Sequence, residues 1–189
     1  GGLKKAEPLL RGAGTFIMMN SDSVSDCHIG AALQKHRQAG ALATMVLAPP
    51  LPGADYGIVE TGEQDRIERI AGRPPADPSP TAGRFHFTGV HLFEPEIFKH
   101  IPKNKLYDFG HELWPKLLKM KKPIFSYETK GYWTDVGNPT EYRQCQIDIL
   151  DGKLIFNLSD DLGLRFHSPQ KTAQLFHILS FPWSPTSKK

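Results

Sequence analysis

Residues 131–142, Gly-Tyr-Trp-Thr-Asp-Val-Gly-Asn-Pro-Thr-Glu-Tyr, restrict the fold more than any other stretch of this sequence. Asn138, Pro139 and Glu141 occupy the N-cap, N1 and N3 places of a helix start. The amide accepts from free backbone N–H groups, the proline lacks an N–H that would go unused there, and the carboxylate lies in the first turn. The aromatic pair Tyr132-Trp133 leads into this start as extended chain. Asp135 is therefore expected at the end of an extended segment, just outside a sheet and aimed at a cleft. Asp22 has a matching context, because it follows the apolar run Phe16-Ile17-Met18-Met19 through Asn20-Ser21. Two carboxylates at strand ends can hold one hard divalent cation such as Mg²⁺, which favours oxygen ligands and keeps several waters. Either Asp can equally be only a cap or turn residue, a role this residue type favours.

The remaining pattern is that of an α/β chain. Residues 15–19 read as a buried strand. Ser25 or Asp26 then caps a helix to about residue 39, with Ile29, Ala32, Leu33 and His36 on its inner face and Gly40 ending it. Residues 41–47 read as the next strand, and this strand–helix–strand unit predicts a parallel pair with a right-handed crossover. Asp22 then falls just past the carboxyl end of the first strand, where open α/β sheets bind ligands. Residues 56–60 and 66–70 read as a hairpin turning around Gly62. The proline-rich stretch 71–83 reads as a long irregular loop. Strands are expected over 84–93 and 123–129, short helices over 94–100 and 108–119, and a closing helix over 139–150. Phe85, Phe87 and Phe93 alternate as a strand core does, and His86 and His91 read as strand residues rather than metal ligands. One domain over 1–150 is expected, followed by an appendage over 151–189 with a disordered end.

Charge and composition exclude several classes. The 189 residues carry 23 basic and 20 acidic side chains, a net charge of +3, so no nucleic-acid partner is called for. No apolar run approaches the roughly 20 residues of a membrane span, and no signal peptide is visible. The two cysteines, Cys27 and Cys145, are placed on predicted helices without CxxC spacing, which fits a reduced cytoplasmic protein. The eight histidines show no HExxH or other tight metal spacing.

The 131–142 stretch resembles the C-terminal signature of the sugar-1-phosphate nucleotidyltransferases, the sugar-nucleotide pyrophosphorylases. Four more stretches agree in order and spacing. GGLKKAEPLL at 1–10 is similar to the end of the family's segment beside the nucleobase, in its mannose-1-phosphate guanylyltransferase form. FIMMNSDSV at 16–24 resembles the family's metal-binding strand. YGIVE at 56–60 and FTGVHLFEPEIF at 87–98 resemble its sugar-binding strands. The resemblance implies a Rossmann-like, GT-A-like fold: a mixed, mostly parallel sheet with helices on both faces. It implies transfer of a nucleotidyl group from a nucleoside triphosphate to a sugar 1-phosphate, with Mg²⁺ held by Asp22 and Asp135. Substrate contacts are implied for Gly1, Gly2, Tyr56, Gly57, Glu60, Arg73, Thr88 and Gly89.

This sequence departs from the family pattern in three places. Gly72-Arg73-Pro74 stands where relatives carry Glu-Lys-Pro, so a sugar-binding carboxylate is lost while Arg73 can replace the lysine as a phosphate ligand. Ser21 stands where a glycine is usual, and a backbone needing positive φ would be strained there. The family's first strand and glycine-rich triphosphate loop do not precede Gly1. These 189 residues alone are therefore expected to have little transferase activity. A non-catalytic, sugar-nucleotide-binding regulatory subunit or sensor is the alternative. A sheet edge left open on that side invites pairing with a second copy.

Overall fold

The computed structural model describes residues 2–50, 57–73 and 83–154. Helix α1 (Gly2–Leu10) precedes strand β1 (Phe16–Met19) and the short strand β2 (Ser23–Ser25). Helix α2 (Ile29–Gln38) leads to β3 (Ala43–Ala48), and β4 (Ile58–Thr61) pairs with β5 (Ile67–Ile70) as a hairpin. The long β6 (Gly83–Phe93) follows, then a 3₁₀ turn (Pro95–His100) and one π-helical turn (Phe109–Leu113) running into α3 (Trp114–Lys119). β7 (Ile124–Glu128), β8 (Trp133–Asp135) and α4 (Pro139–Leu150) complete the order.

The fold is mixed α/β. β6 runs antiparallel to β3 along one edge; its other edge pairs first with β4 and then with β1. β3 pairs with β7 in parallel. β1 and β3 therefore run in the same direction on opposite sides of β6. The strand–helix–strand pattern predicts these two as neighbours, but β6 intervenes, and the ladders are more antiparallel than a mostly parallel sheet. The pattern could not show this because β6 comes about forty residues after β3. The small β2–β8 ladder stands apart from the main sheet.

Alternation divides the core into two layers. Met45 and Leu47 of β3 and Phe93 of β6 point to one face, where they meet Phe16, Phe98, Leu113, Trp114 and Leu117. Val46, Val90 and Leu92 point to the other, against Ala32, Ile29 and Leu33 of α2. Phe93 is the keystone of the first layer, with its ring 5.8 Å from Trp114 and 5.7 Å from Phe16. Helices cover both faces, as expected.

Local sequence explains most element ends and some differences. Asn138 Oδ1 accepts from the N–H groups of Thr140 and Glu141 at 3.0 Å each, and α4 spans the predicted residues. α2 starts at Ile29 and is capped by His28, whose Nδ1 accepts from Ala31 N at 3.0 Å. Neither Ser25 nor Asp26 caps it: the Ser25 hydroxyl accepts from Cys27 N at 3.1 Å, and both residues precede the turn through Cys27 and His28 that leads into the helix. Cys27, predicted on a helix, lies in the turn before α2. α1 was not legible as a helix, with Gly2 at its start and Pro8 inside it. Lys4 docks it, donating to Phe98 O at 2.6 Å. No helix among the described residues is long and apolar enough to cross a membrane. The predicted appendage lies outside the described residues from 155 onward.

Phe93→Ala is expected to cost about 3–5 kcal/mol of stability, the range for emptying a buried phenylalanine site. Urea unfolding of the variant would measure it, and a loss below about 1 kcal/mol would show that Phe93 does not hold this layer together.

Candidate active site

A cleft of about 590 Å³ opens where β1 and β4 part company on the edge of β6. The change of partner takes place at Gly89. Its φ of +84° belongs to the left-handed region that glycine tolerates. A Cβ there would lie 2.6 Å from Ser23 Oγ and 3.0 Å from Asn20 Cβ, so the chain after β1 can approach only a bare backbone. Asn20 N donates to Gly89 O at 2.9 Å and fixes this approach.

The β2–β8 ladder brings the two predicted carboxylates together. Ser23 lies opposite Asp135 in the register, and Val136 N donates to Asp22 O at 2.7 Å. Asp135 borders the cleft, and its Oδ1 is buried with no hydrogen-bond partner among the described residues. Burial raises the Asp135 carboxyl above the usual carboxylate range, and the negative charges of Asp22 and Glu141 push the same way. Asp22 is exposed beside the cleft rather than lining it. Among the described residues no group of three or more His, Cys, Asp or Glu side chains converges as a metal cage. What the site offers is a pair of carboxylates under mutual repulsion, which suits a hydrated divalent cation better than an all-protein cage.

Side-chain contacts also hold β8 in place. Trp133 Nε1 donates to Thr88 O at 2.9 Å. Tyr132 Oη donates to Asp148 Oδ2 at 2.9 Å, while Gln144 and Lys153 donate to Asp148 Oδ1 at 2.9 and 2.7 Å. Burial and the Asp148 acceptor push the Tyr132 phenol upward, so it remains a donor. Helix α4 is thereby tied to the segment carrying Asp135.

The predicted substrate contacts divide. Gly2, Gly57 and Gly89 border the cleft. Gly1 and Tyr56 lie outside the described residues. The Thr88 side chain does not reach the cleft: it is fully buried, and its hydroxyl donates to Val46 O at 2.8 Å. Glu60 is turned away too. Alternation gives the cleft face to its neighbour Val59 and leaves Glu60 on the opposite face, paired with Arg69 at 2.8 Å and Arg84 at 3.7 Å across its two flanking strands. Arg73 is exposed outside the cleft lining, with its Nη1 2.9 Å from Nδ1 of His111, next to cleft residue Gly110. Ser21 causes no strain, since it is not among the described residues with positive φ.

The fold that holds this cleft has known counterparts. A profile of the nucleotidyl transferase family matches residues 1–152. The chain belongs to the nucleotidyl transferase family. Among curated relatives, a UTP–glucose-1-phosphate uridylyltransferase of Synechocystis sp. is 29% identical over 159 residues, 82% of this chain and 40% of that protein. A glucose-1-phosphate adenylyltransferase of Acetivibrio thermocellus is 28% identical over 152 residues, 76% of this chain and 35% of that protein. The chain thus spans well under half the length of these relatives. Among solved structures, a putative glucose-1-phosphate thymidylyltransferase from Bacillus anthracis aligns with a TM-score of 0.60 at 17% identity, over 82% of this chain and 61% of that one. HddC from Yersinia pseudotuberculosis aligns with the same score and identity, over 75% of this chain and 58% of its own. These likenesses show the fold.

Within this nucleotidyl transferase domain, the residue that sequence reasoning missed at the cleft is His91. It is 3% exposed and borders the cleft, with Nδ1 buried and unpartnered among the described residues. Rings surround it: Phe87 at 4.3 Å, Phe93 and Trp114 at 5.2 Å and Phe109 at 6.4 Å. The signal was present, because Phe87, Gly89 and His91 share one face of a strand. An alternating apolar pattern hides a histidine among core residues. Leaving such a nitrogen buried without a partner costs about 1–3 kcal/mol.

Burial lowers the His91 imidazole to about 3. The native protein then binds fewer protons than the unfolded chain below the ordinary histidine value of about 6.5. Stability therefore falls as pH drops from about 6.5 towards 3, by at most about 1.4 kcal/mol per pH unit for each such histidine. His36 and His100, also lowered by burial, act in the same direction. Urea midpoints should decrease between pH 7.5 and 5, and His91→Phe should remove part of that slope; an unchanged slope would refute the assignment. Asp135→Asn should raise the melting temperature at neutral pH, about 2–4 °C for each kcal/mol of repulsion relieved. Calorimetry showing a lower melting temperature would mean that the charge is not held against its preference.

Proposed function

We propose that the protein transfers a nucleotidyl group from a nucleoside triphosphate to a sugar 1-phosphate, releasing pyrophosphate. The observation that carries this reading is Asp135: a buried carboxylate oxygen, unpartnered among the described residues and kept beside Asp22, at the edge of a cleft that Gly57 and Gly89 border. A phosphate oxygen of the sugar forms the new bond to the α-phosphorus. The α–β bridging bond breaks, and its electron pair leaves with pyrophosphate. No covalent enzyme intermediate is required, so catalysis is positioning and charge neutralisation.

Asp22 and Asp135 are the residues that would hold Mg²⁺. The ion would supply positive charge to the reacting phosphates and relieve the repulsion between the two carboxylates. Gly57 and Gly89 leave room for the sugar and present backbone to it. Gly2, at the start of α1, borders the base end of the cleft. The Arg73 guanidinium stands outside the cleft near its rim, with a fork suited to phosphate. Hexose 1-phosphates are the substrate class to test first. Glucose is favoured by the relatives' names and mannose with GTP by the 1–10 segment, the two differing at one hydroxyl configuration.

The test is pyrophosphate release by the full-length gene product with Mg²⁺, each nucleoside triphosphate, and glucose and mannose 1-phosphates. One base–sugar pair should turn over, and Asp135→Asn should lower the rate on the order of 10²-fold or more, the scale for losing a transition-state charge partner. Turnover left intact by Asp135→Asn would remove the central support.

A further inference from the structure

Besides Asn20, Ser23 and Tyr107, the described lining of the cleft carries two polar groups of opposite kind. One is Asp135, repelled by Asp22 just outside the lining. The other is His91, at the aromatic wall, and its surroundings decide what it can recognise. It is 3% exposed, and desolvation is the only influence on its proton affinity. No carboxylate among the described residues stabilises its charged form. A histidine in this setting does not serve as a cation for phosphate. It presents one N–H donor and one acceptor, both neutral.

The rings around it restrict the ligand further. Phe87 and Phe109 border the cleft beside His91, together with Tyr107, Trp114 and Trp133. Aromatic faces of this kind pack against the C–H surface of a pyranose while an edge group takes a hydroxyl. The unpartnered Nδ1 is a buried polar atom awaiting a partner, in a wall where no described side chain supplies one. A neutral imidazole offers a phosphate no charge, and a nucleobase is expected at the Gly2 end. The imidazole's one donor and one acceptor match a sugar hydroxyl, which also both donates and accepts.

Resting on the reading of the cleft as a sugar 1-phosphate site, we propose that His91 is a specificity-determining residue that hydrogen-bonds one ring hydroxyl of the sugar. Phe87, Trp114 and Phe109 fix the ring orientation, so only a hydroxyl at one position of the sugar can reach the imidazole. Sites built to pair a substrate hydroxyl reject the analogue that lacks it, because their own polar group is then left unpaired. Sugar choice in this protein would thus be made by a neutral donor–acceptor group, well separated in character from the carboxylates that handle the phosphates.

The test is calorimetric titration of the full-length protein with glucose and mannose 1-phosphates and their 2-, 3-, 4- and 6-deoxy analogues. Wild type, His91→Phe and His91→Gln are compared, each first shown to unfold cooperatively. The wild type should bind a parent sugar about 10–100-fold more tightly than one particular deoxy analogue, the range for one buried pairing. His91→Phe should lose that preference, binding the parent as weakly as that analogue, while its affinity for the analogue itself is unchanged. His91→Gln, which retains a donor and an acceptor, should recover part of it. Equal weakening of the parent and all analogues by His91→Phe would give His91 a structural role only and overturn the inference, leaving the function intact. So would no weakening at all. Failure of the wild type to bind any sugar 1-phosphate, together with no pyrophosphate release, would overturn the functional reading and this inference with it.

Discussion

A single strand with more partners than its edges would ordinarily serve organises this domain. β6 gives one edge to β3 and divides the other between β4 and β1. A strand edge cannot pair with two strands at the same place, so the two must separate, and backbone there is left to find other partners. The separation falls at Thr88 and Gly89. Gly89 O accepts from Asn20 N, and Thr88 O accepts from the Trp133 indole. The gap between β1 and β4 is the cleft. Its existence follows from the ladder arrangement, and its chemistry from the segments drawn in to satisfy the β6 backbone.

Those segments bring the carboxylates with them. The chain after β1 carries Asn20 to Ser23, and the chain around Trp133 carries Asp135. Once both are anchored on β6, the three-residue β2–β8 ladder aligns Ser23 with Asp135. More than a hundred residues of sequence separate Asp22 from Asp135, and the hydrogen bond from Val136 N to Asp22 O bridges them. The resulting pair is electrostatically unfavourable in isolation. Asp135 is half-buried and Asp22 exposed, so the cost falls on Asp135, where burial and the neighbouring charge act together against ionisation.

Local chemistry was readable, and non-local pairing was not. The Asn138-Pro139 start of α4 is encoded within a few residues, and the structure reproduces it. The strand–helix–strand pattern gave β1, α2 and β3 but could not show that β6 would enter between the two strands. Strand alternation separates Thr88 from Gly89 and Glu60 from Val59, yet the sequence does not say which face borders the cleft. Motif matching therefore included Thr88 and Glu60 with residues that do line it. Ser21 read as strained only by comparison with a glycine; its backbone here needs no positive φ. α1 was hidden by Gly2 and Pro8, because its stability comes from docking through Lys4 rather than from propensity.

Asp148 accepts from Tyr132, Gln144 and Lys153, and so joins the middle and the far end of α4 to a residue three positions before Asp135. A rigid rod fastened this way transmits displacement. A rotation of α4 that preserves the Tyr132–Asp148 bond must pull on the β8 backbone, and β8 has no slack because Trp133 is pinned at Thr88. Mechanically, α4 and the strand bearing Asp135 are two ends of one fastened piece, so the position of the helix sets the position of one edge of the cleft.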